Sequence, residues 1–172
     1  MRVNPYGEDP LRLAVRLVNA PISDPVELEA VCRSAGVAIE RAVTDADVFG
    51  TQRMLDEWLR VVDEPKDEER AAILNRLLAD STTVPSLTDH DKDGWHLHYR
   101  EDDLELWKIL RTMVYVGTAL HFVTKGIHRL GRCREEHCAR VFADFSRPGT
   151  QRYCSTSCAN RDAVRRHRSR HL

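Results

Sequence analysis

The sequence predicts a mainly α (α+β) protein in two parts. Residues 1–128 read as a helical domain with one short strand region, and residues 129–172 as a small module organised by cysteines. Three observations lead there. Apolar residues recur at helical spacing through most of the first part. Four of the five cysteines fall between positions 133 and 158. Charge divides along the same line. From Arg129 onward there are 11 Arg, no Lys and four acidic residues, a net of about +7, so the first 128 residues hold 15 basic and 23 acidic groups, about -8. The chain total of -1 hides this asymmetry. A basic part of this kind suits a polyanionic partner, and the opposite charges predict that the acidic part lies against the basic C-terminal helix when no such partner is bound.

The elements follow in order. Leu11, Ala14, Val15 and Val18 share one helical face, so a short helix is predicted, although Leu11, Leu13, Val15 and Leu17 also fit the strand period. Pro25 opens a second helix that runs through Ala35 and stops at Gly36. Thr44, with Asp47 three residues on, reads as the start of a third. Val48, Leu55, Leu59 and Val62 lie along one side of it, and Pro65 ends it. A fourth runs from Asp67 to Ala79 with Ile73, Leu74, Leu77 and Leu78 inward. A polar, Pro-containing stretch follows from Asp80 to Gly94. Trp95 to Tyr99 alternates and is β-rich, which predicts a short strand. Asp102 and Asp103 precede the longest helix, Leu104 to Lys125. Its predicted core stripe is Ile109, Met113, Val116, Leu120 and Val123, and Gly126 is its stop.

The cysteines carry the most specific chemistry. Cys133-x4-Cys138 and Cys154-x3-Cys158 are two close pairs separated by 15 residues. Thiolates are soft ligands that suit Zn²⁺, and a closed tetrahedron of four is a common structural site. The prediction is one structural zinc ion. His128 and His137 are poorer ligand candidates, since His137 adjoins Cys138. Cys32 stands alone in a predicted helix and reads as a small buried apolar residue. Between the pairs, Val141, Phe142 and Phe145 with the turn residues Arg147, Pro148 and Gly149 predict a hairpin. Ser155 can cap a helix with Cys158 in its first turn. A knuckle, a hairpin and a helix-borne second pair resemble a treble clef.

After Cys158, Arg161, Arg165 and Arg168 fall on one helical face, with Arg166 and Arg170 beside it. Such a row can neutralise phosphates, and Arg can read guanine edges in a fork geometry. Arg147 and Arg152 extend the surface.

The run Gly131-Arg-Cys-x4-Cys-x2-Val-Phe-x-Asp-x-Ser-Arg, then Arg152-Tyr-Cys-Ser-x2-Cys-Ala-Asn-Arg161 and Ala-Val-Arg-Arg-His-Arg, resembles the CGNR-type zinc finger. That finger closes a bacterial family described as "putative stress-induced transcription regulators", whose N-terminal part is called the ABATE domain. The signature Cys-Gly-Asn-Arg stands here as Cys158-Ala159-Asn160-Arg161. Ala is the better helix former, so the fold is kept. Upstream, Leu17-Val18-Asn19 is similar to the family's N-terminal motif. The resemblance implies a DNA-binding, stress-responsive regulator. The candidate nucleic-acid residues are then Arg147, Arg152, Asn160, Arg161, Arg165, Arg166, Arg168 and Arg170. The rival reading is a zinc-stabilised protein- or RNA-interaction module.

Two further signals sit upstream. Asp89, Asp91, Asp93 and Gly94 begin like a calcium loop, but Arg100 stands where the bidentate Glu is needed, so a plain acidic turn is predicted. His96 and His98 share a strand face and, with Trp95 and Tyr99, form a candidate pocket for an effector of unspecified chemistry. The first part lacks a nucleophile–base motif, a glycine-rich phosphate loop and a His-rich metal motif, so no enzyme is predicted. Met1 to Glu8 has no apolar core, and Lys108, Arg111, His121 and Lys125 interrupt the best membrane candidate. A cytoplasmic protein is therefore expected.

Overall fold

A computed structural model describes residues 8–88, 95–101 and 103–169. The calcium-like run at 89–94 and Arg170 lie outside them, as does the side chain of His96. Four helices come first: α1 (Glu8–Asn19), α2 (Pro25–Ser34), α3 (Asp45–Asp63) and α4 (Asp67–Ala79). The strands β1 (Ser86–Thr88) and β2 (His96–His98) form an antiparallel pair, with Leu87 opposite Leu97. The long α5 (Leu106–Lys125) leads through a 3-10 turn into β3 (Leu130–Arg132). Then come β4 (Val141–Ala143), antiparallel to β3, and α6 (Thr156–Arg168).

Local chemistry sets the helix ends. Asp24 accepts a bond from the Glu27 amide and caps α2. Thr44 and Asp47 form a reciprocal capping box on α3, which satisfies two otherwise orphan amides. Asp47 also accepts from the Trp107 amide at 3.3 Å, so one buried carboxylate ties the starts of α3 and α5 together. Gly50 lets the Trp107 indole lie on α3, since a Cβ there would sit 2.3 Å from the ring.

α5 packs on α1, α3 and α4 and is the axis of the core. Its buried residues include Leu106, Leu110, Val114, Tyr115, Thr118 and His121, together with Met113 and Val116 of the predicted stripe. Ile109 and Leu120 of that stripe are half-buried, and Val123 corrects it, being 85% exposed. Counting aliphatic residues alone missed two polar members of the face. The Thr118 hydroxyl accepts the Trp58 indole N–H at 2.9 Å, deep in the core. The helix also starts at Leu106 rather than Leu104, after Asp103 takes a positive φ of 62°. The stretch 80–94, read only as polar, contains β1.

The cysteine module shares this core. Leu130, Val141 and Ala143 belong to the same buried cluster as the N-terminal helices. Polar links fix the seam. The Asn19 amide donates to the Val141 carbonyl at 2.8 Å and accepts its N–H at 2.9 Å, pairing with the edge of β4 as a strand would. Arg132 makes a two-point ion pair with Asp63, at 2.7 and 2.9 Å. Arg12 lies over the Phe145 ring, 4.1 Å from its centroid.

His121 is fully buried at this seam, edge-on to Phe145 with centroids 5.1 Å apart. Neither ring nitrogen makes a well-formed hydrogen bond. Burial pulls its pKa below the usual histidine value. Lys125 and Arg129 pull the same way, while the Arg129 backbone and Glu8 pull back. His121 therefore takes up a proton less readily in the folded chain than in the unfolded chain, which titrates near pH ~6.5. Below that pH the unfolded state binds a proton more readily than the folded state, so stability falls; above it nothing is lost. Urea unfolding should show a loss of about 1 kcal/mol between pH ~7.5 and ~5.5 that His121→Leu removes. An unchanged pH slope in the variant would show that other groups carry the dependence.

Candidate metal centre

The first cysteine pair sits on the turn between β3 and β4. The Cys133 amide donates to the Arg140 carbonyl at 2.8 Å, extending the strand ladder, and the Cys138 amide donates to Glu135 O at 2.9 Å. The knuckle is thus the tip of the hairpin, whereas the sequence reading placed a hairpin after it. Residues 144–151 form a loop organised by Asp144, which accepts from the Ser146 amide at 2.9 Å and the Gln151 amide at 3.0 Å. Gly149, at φ 66°, makes room there for the Arg129 guanidinium.

The second pair arrives on α6. Ser155 caps this helix by accepting the Cys158 amide at 3.2 Å, which puts Cys158 in the first turn as predicted. The Cys154 amide points at Cys133 Sγ from 3.4 Å. All four sulfurs lie within 4.8 Å of one another. Cys138 and Cys154 Sγ are 3.7 Å apart, and Cys154 and Cys158 Sγ 3.6 Å apart. A Zn–S bond of about 2.3 Å in a tetrahedron requires sulfur separations of about 3.8 Å. The cluster fits, and its four cysteines form a zinc-binding site for one ion. Cys32 lies apart, fully buried in the core, its thiol pushed up to about 12 by burial.

Four thiolates around Zn²⁺ leave a net negative charge, and the surroundings answer it. Arg161 donates to Cys158 Sγ at 2.9 Å and reaches the buried Glu135 carboxylate at 3.5 Å. Arg165 bonds to both Glu136 and Asp162. Asp162, also buried, takes Arg166 at 2.9 Å and the Tyr153 hydroxyl at 2.7 Å. The Tyr153 bond, then the arginines, hold its carboxyl below the ordinary aspartate value. The anticipated phosphate row Arg161–Arg165–Arg168 is therefore divided. Its first two members, Arg161 exposed and Arg165 half-buried, are paired with carboxylates of the module, while Arg168 and Asn160 are exposed. Glu135 and Asp162 are the residues that sequence reasoning passed over. Their only signal was being acidic in a run of arginines. These ion pairs stay within the module, and the N-terminal helices meet the module mainly through β3 and β4.

Of the suspected pocket residues, His98 and Tyr99 line a cavity of about 470 Å³. Ile109, Met113 and Val116 of α5 form part of its wall, and Arg41 and Asp103, an ion pair, stand at it. Trp95 is outside it and 72% exposed. Among the described residues no helix is long and apolar enough to cross a membrane.

The family comparisons agree with this architecture. Residues 129–171 match the model of the CGNR zinc finger. Residues 11–120 match ABATE, described as "Putative stress-induced transcription regulator". No curated protein gives a match. The N-terminal match spans most of the chain and the finger model most of the rest, so the chain belongs to the ABATE family, the "Putative stress-induced transcription regulator", and carries a CGNR zinc finger at its C-terminal end.

Proposed function

We propose that this protein is a zinc-dependent DNA-binding transcription regulator. The observation that carries the reading is the charge of the zinc module. Its 11 arginines outnumber its four acidic residues, and those among the described residues stand on a backbone that four thiolates and the shared core hold in place. A fixed cationic surface of this kind suits the phosphate backbone of a duplex, with affinity driven by counterion release. The 470 Å³ cavity is of the size that small-molecule sites have. α5 runs from its wall to the seam with the zinc module, so an effector bound there would act on the element that carries the module.

The test is a salt titration of the zinc-loaded protein on duplex DNA. If about 3–5 phosphates are neutralised, log affinity should fall with log salt at a slope of about -3 to -4.5. Binding that ignores salt, or no binding at low salt, would direct the assignment to a protein partner. Tighter binding to a single-stranded or structured RNA would direct it there.

A further inference from the structure

The geometry points to the knuckle side of the zinc module, built by Arg134, Arg140 and Arg152, as the surface that meets nucleic-acid phosphates, in place of the Arg161/Arg165 row of α6. This rests on the DNA-binding reading and says where on the module the backbone lies.

Charge accounting makes the division. Arg161, Arg165 and Arg166 are matched by Glu135, Glu136 and Asp162. Arg132 is matched by Asp63. Arg129 donates to the Ser146 carbonyl at 2.6 Å, on the loop that Asp144 organises. The excess positive charge therefore resides elsewhere. Among the described residues, Arg134, Arg140, Arg147, Arg152 and Arg168 make no ion pair. Arg134 and Arg140 are exposed; Arg152 is half-buried and donates from one guanidinium nitrogen to the adjacent Gln151 carbonyl at 2.8 Å, with no carboxylate to neutralise it.

Three of these five are brought together by the backbone. The Arg134 amide donates to the Arg152 carbonyl at 2.9 Å, and the neighbouring Cys133 amide donates to the Arg140 carbonyl at 2.8 Å. Positions 18 residues apart in sequence thus meet at the knuckle. Cys133 and Cys138 pin that turn to the metal, and Arg132 ties it further by donating to the Ala139 carbonyl at 2.7 Å. Guanidinium groups on a fixed backbone lose less freedom on binding, and Arg suits phosphate recognition by its fork of donors. The α6 arginines are poorer candidates for the opposite reason. A phosphate that took Arg161 and Arg165 would strip partners from Glu135 and Asp162, both buried, and an unpaired buried carboxylate is costly.

The experiment uses the full-length, zinc-loaded chain and one random duplex in a salt series. The double variant Arg134→Ala/Arg152→Ala should weaken binding and flatten the log–log slope by about 2. Arg134→Lys/Arg152→Lys should restore the slope. Arg165→Gln should change it by less than about 0.5, because Arg165 is already neutralised. Zinc content and melting temperature, measured on each variant, separate lost contacts from lost folding, and the Lys pair serves where the Ala pair unfolds. If the wild type binds with a steep slope but the Ala pair keeps it, the knuckle assignment is overturned while DNA binding stands. Flattening by Arg165→Gln as large as that of one knuckle arginine overturns the division too. A wild type that does not bind duplex DNA overturns both readings.

Discussion

Cys154→Ser is expected to release the zinc and melt α6 while β3 and β4 stay in place. The reason is that the two halves of the module are held by different forces. The strands put Leu130, Val141 and Ala143 into the main core, and Asn19 and Arg132 bind their backbone and flank to α1 and α3. α6 contributes no residue to that core. Its buried residues are Cys158 and Asp162, and Val164 is half-exposed. A helix of 13 residues is marginal alone in water, so zinc is what holds it. Structural zinc sites contribute about 10–16 kcal/mol of binding energy to folding. Metal analysis should fall from one zinc per chain to near none. Amide exchange should accelerate across 156–168 and remain slow at 141–143. Loss of protection in β4 as well would mean that zinc also secures the hairpin, and retained protection in α6 would mean that packing suffices without the metal.

Arg70→Met should lower the melting temperature by about 10 °C, the second largest effect expected. Arg70 is buried on α4, and its guanidinium donates to four carbonyls. Val62 O and Glu64 O, at 3.0 Å each, belong to the end of α3. Ile127 O at 2.9 Å and Leu130 O at 3.2 Å belong to the approach into β3. The first two are helix-end carbonyls of the kind that lack partners within their own helix. Burial pulls the guanidinium's pKa down, while Asp67, Glu64 and Asp63 pull it up. Removing the donor strands buried acceptors, at about 1–3 kcal/mol apiece and less than additively. About 3–5 kcal/mol in total is reasonable for a broken buried charged network. At roughly 2–4 °C per kcal/mol for a chain of this size, that gives the expected shift. Met keeps the apolar stem, so the loss measures the polar head. A shift under about 2 °C would mean that water satisfies those carbonyls.

Helix ends and metal ligands were legible in the sequence because each depends on neighbours in the chain. Pro25, Thr44 and Asp47, Gly126, and Ser155 before Cys158 act over three or four residues, and the structure uses all of them. The cysteine pairs declared their chemistry because thiolate spacing within a pair is itself local. Long-range pairing was not legible. β1 is only three residues long and has two exposed positions, so it shows no clear alternation; only its partner β2 makes it a strand. The inward face of α5 was legible only in part: Met113 and Val116 are buried as predicted, but Thr118 and His121 are buried by what stands opposite them, Trp58 and Phe145, not by their own hydrophobicity.

By itself the sequence determined the helical class, the helix caps, the four zinc ligands, the charge split and the family motifs, all carried by residues close together in the chain. The tertiary structure decided which charges are available. Glu135 and Arg161 are 26 positions apart, Glu136 and Arg165 are 29 apart, and Asn19 and Val141 are 122 apart. A formal charge is a property of a residue, but whether it can meet a phosphate depends on whether a carboxylate already stands beside it, and only folding brings the two together.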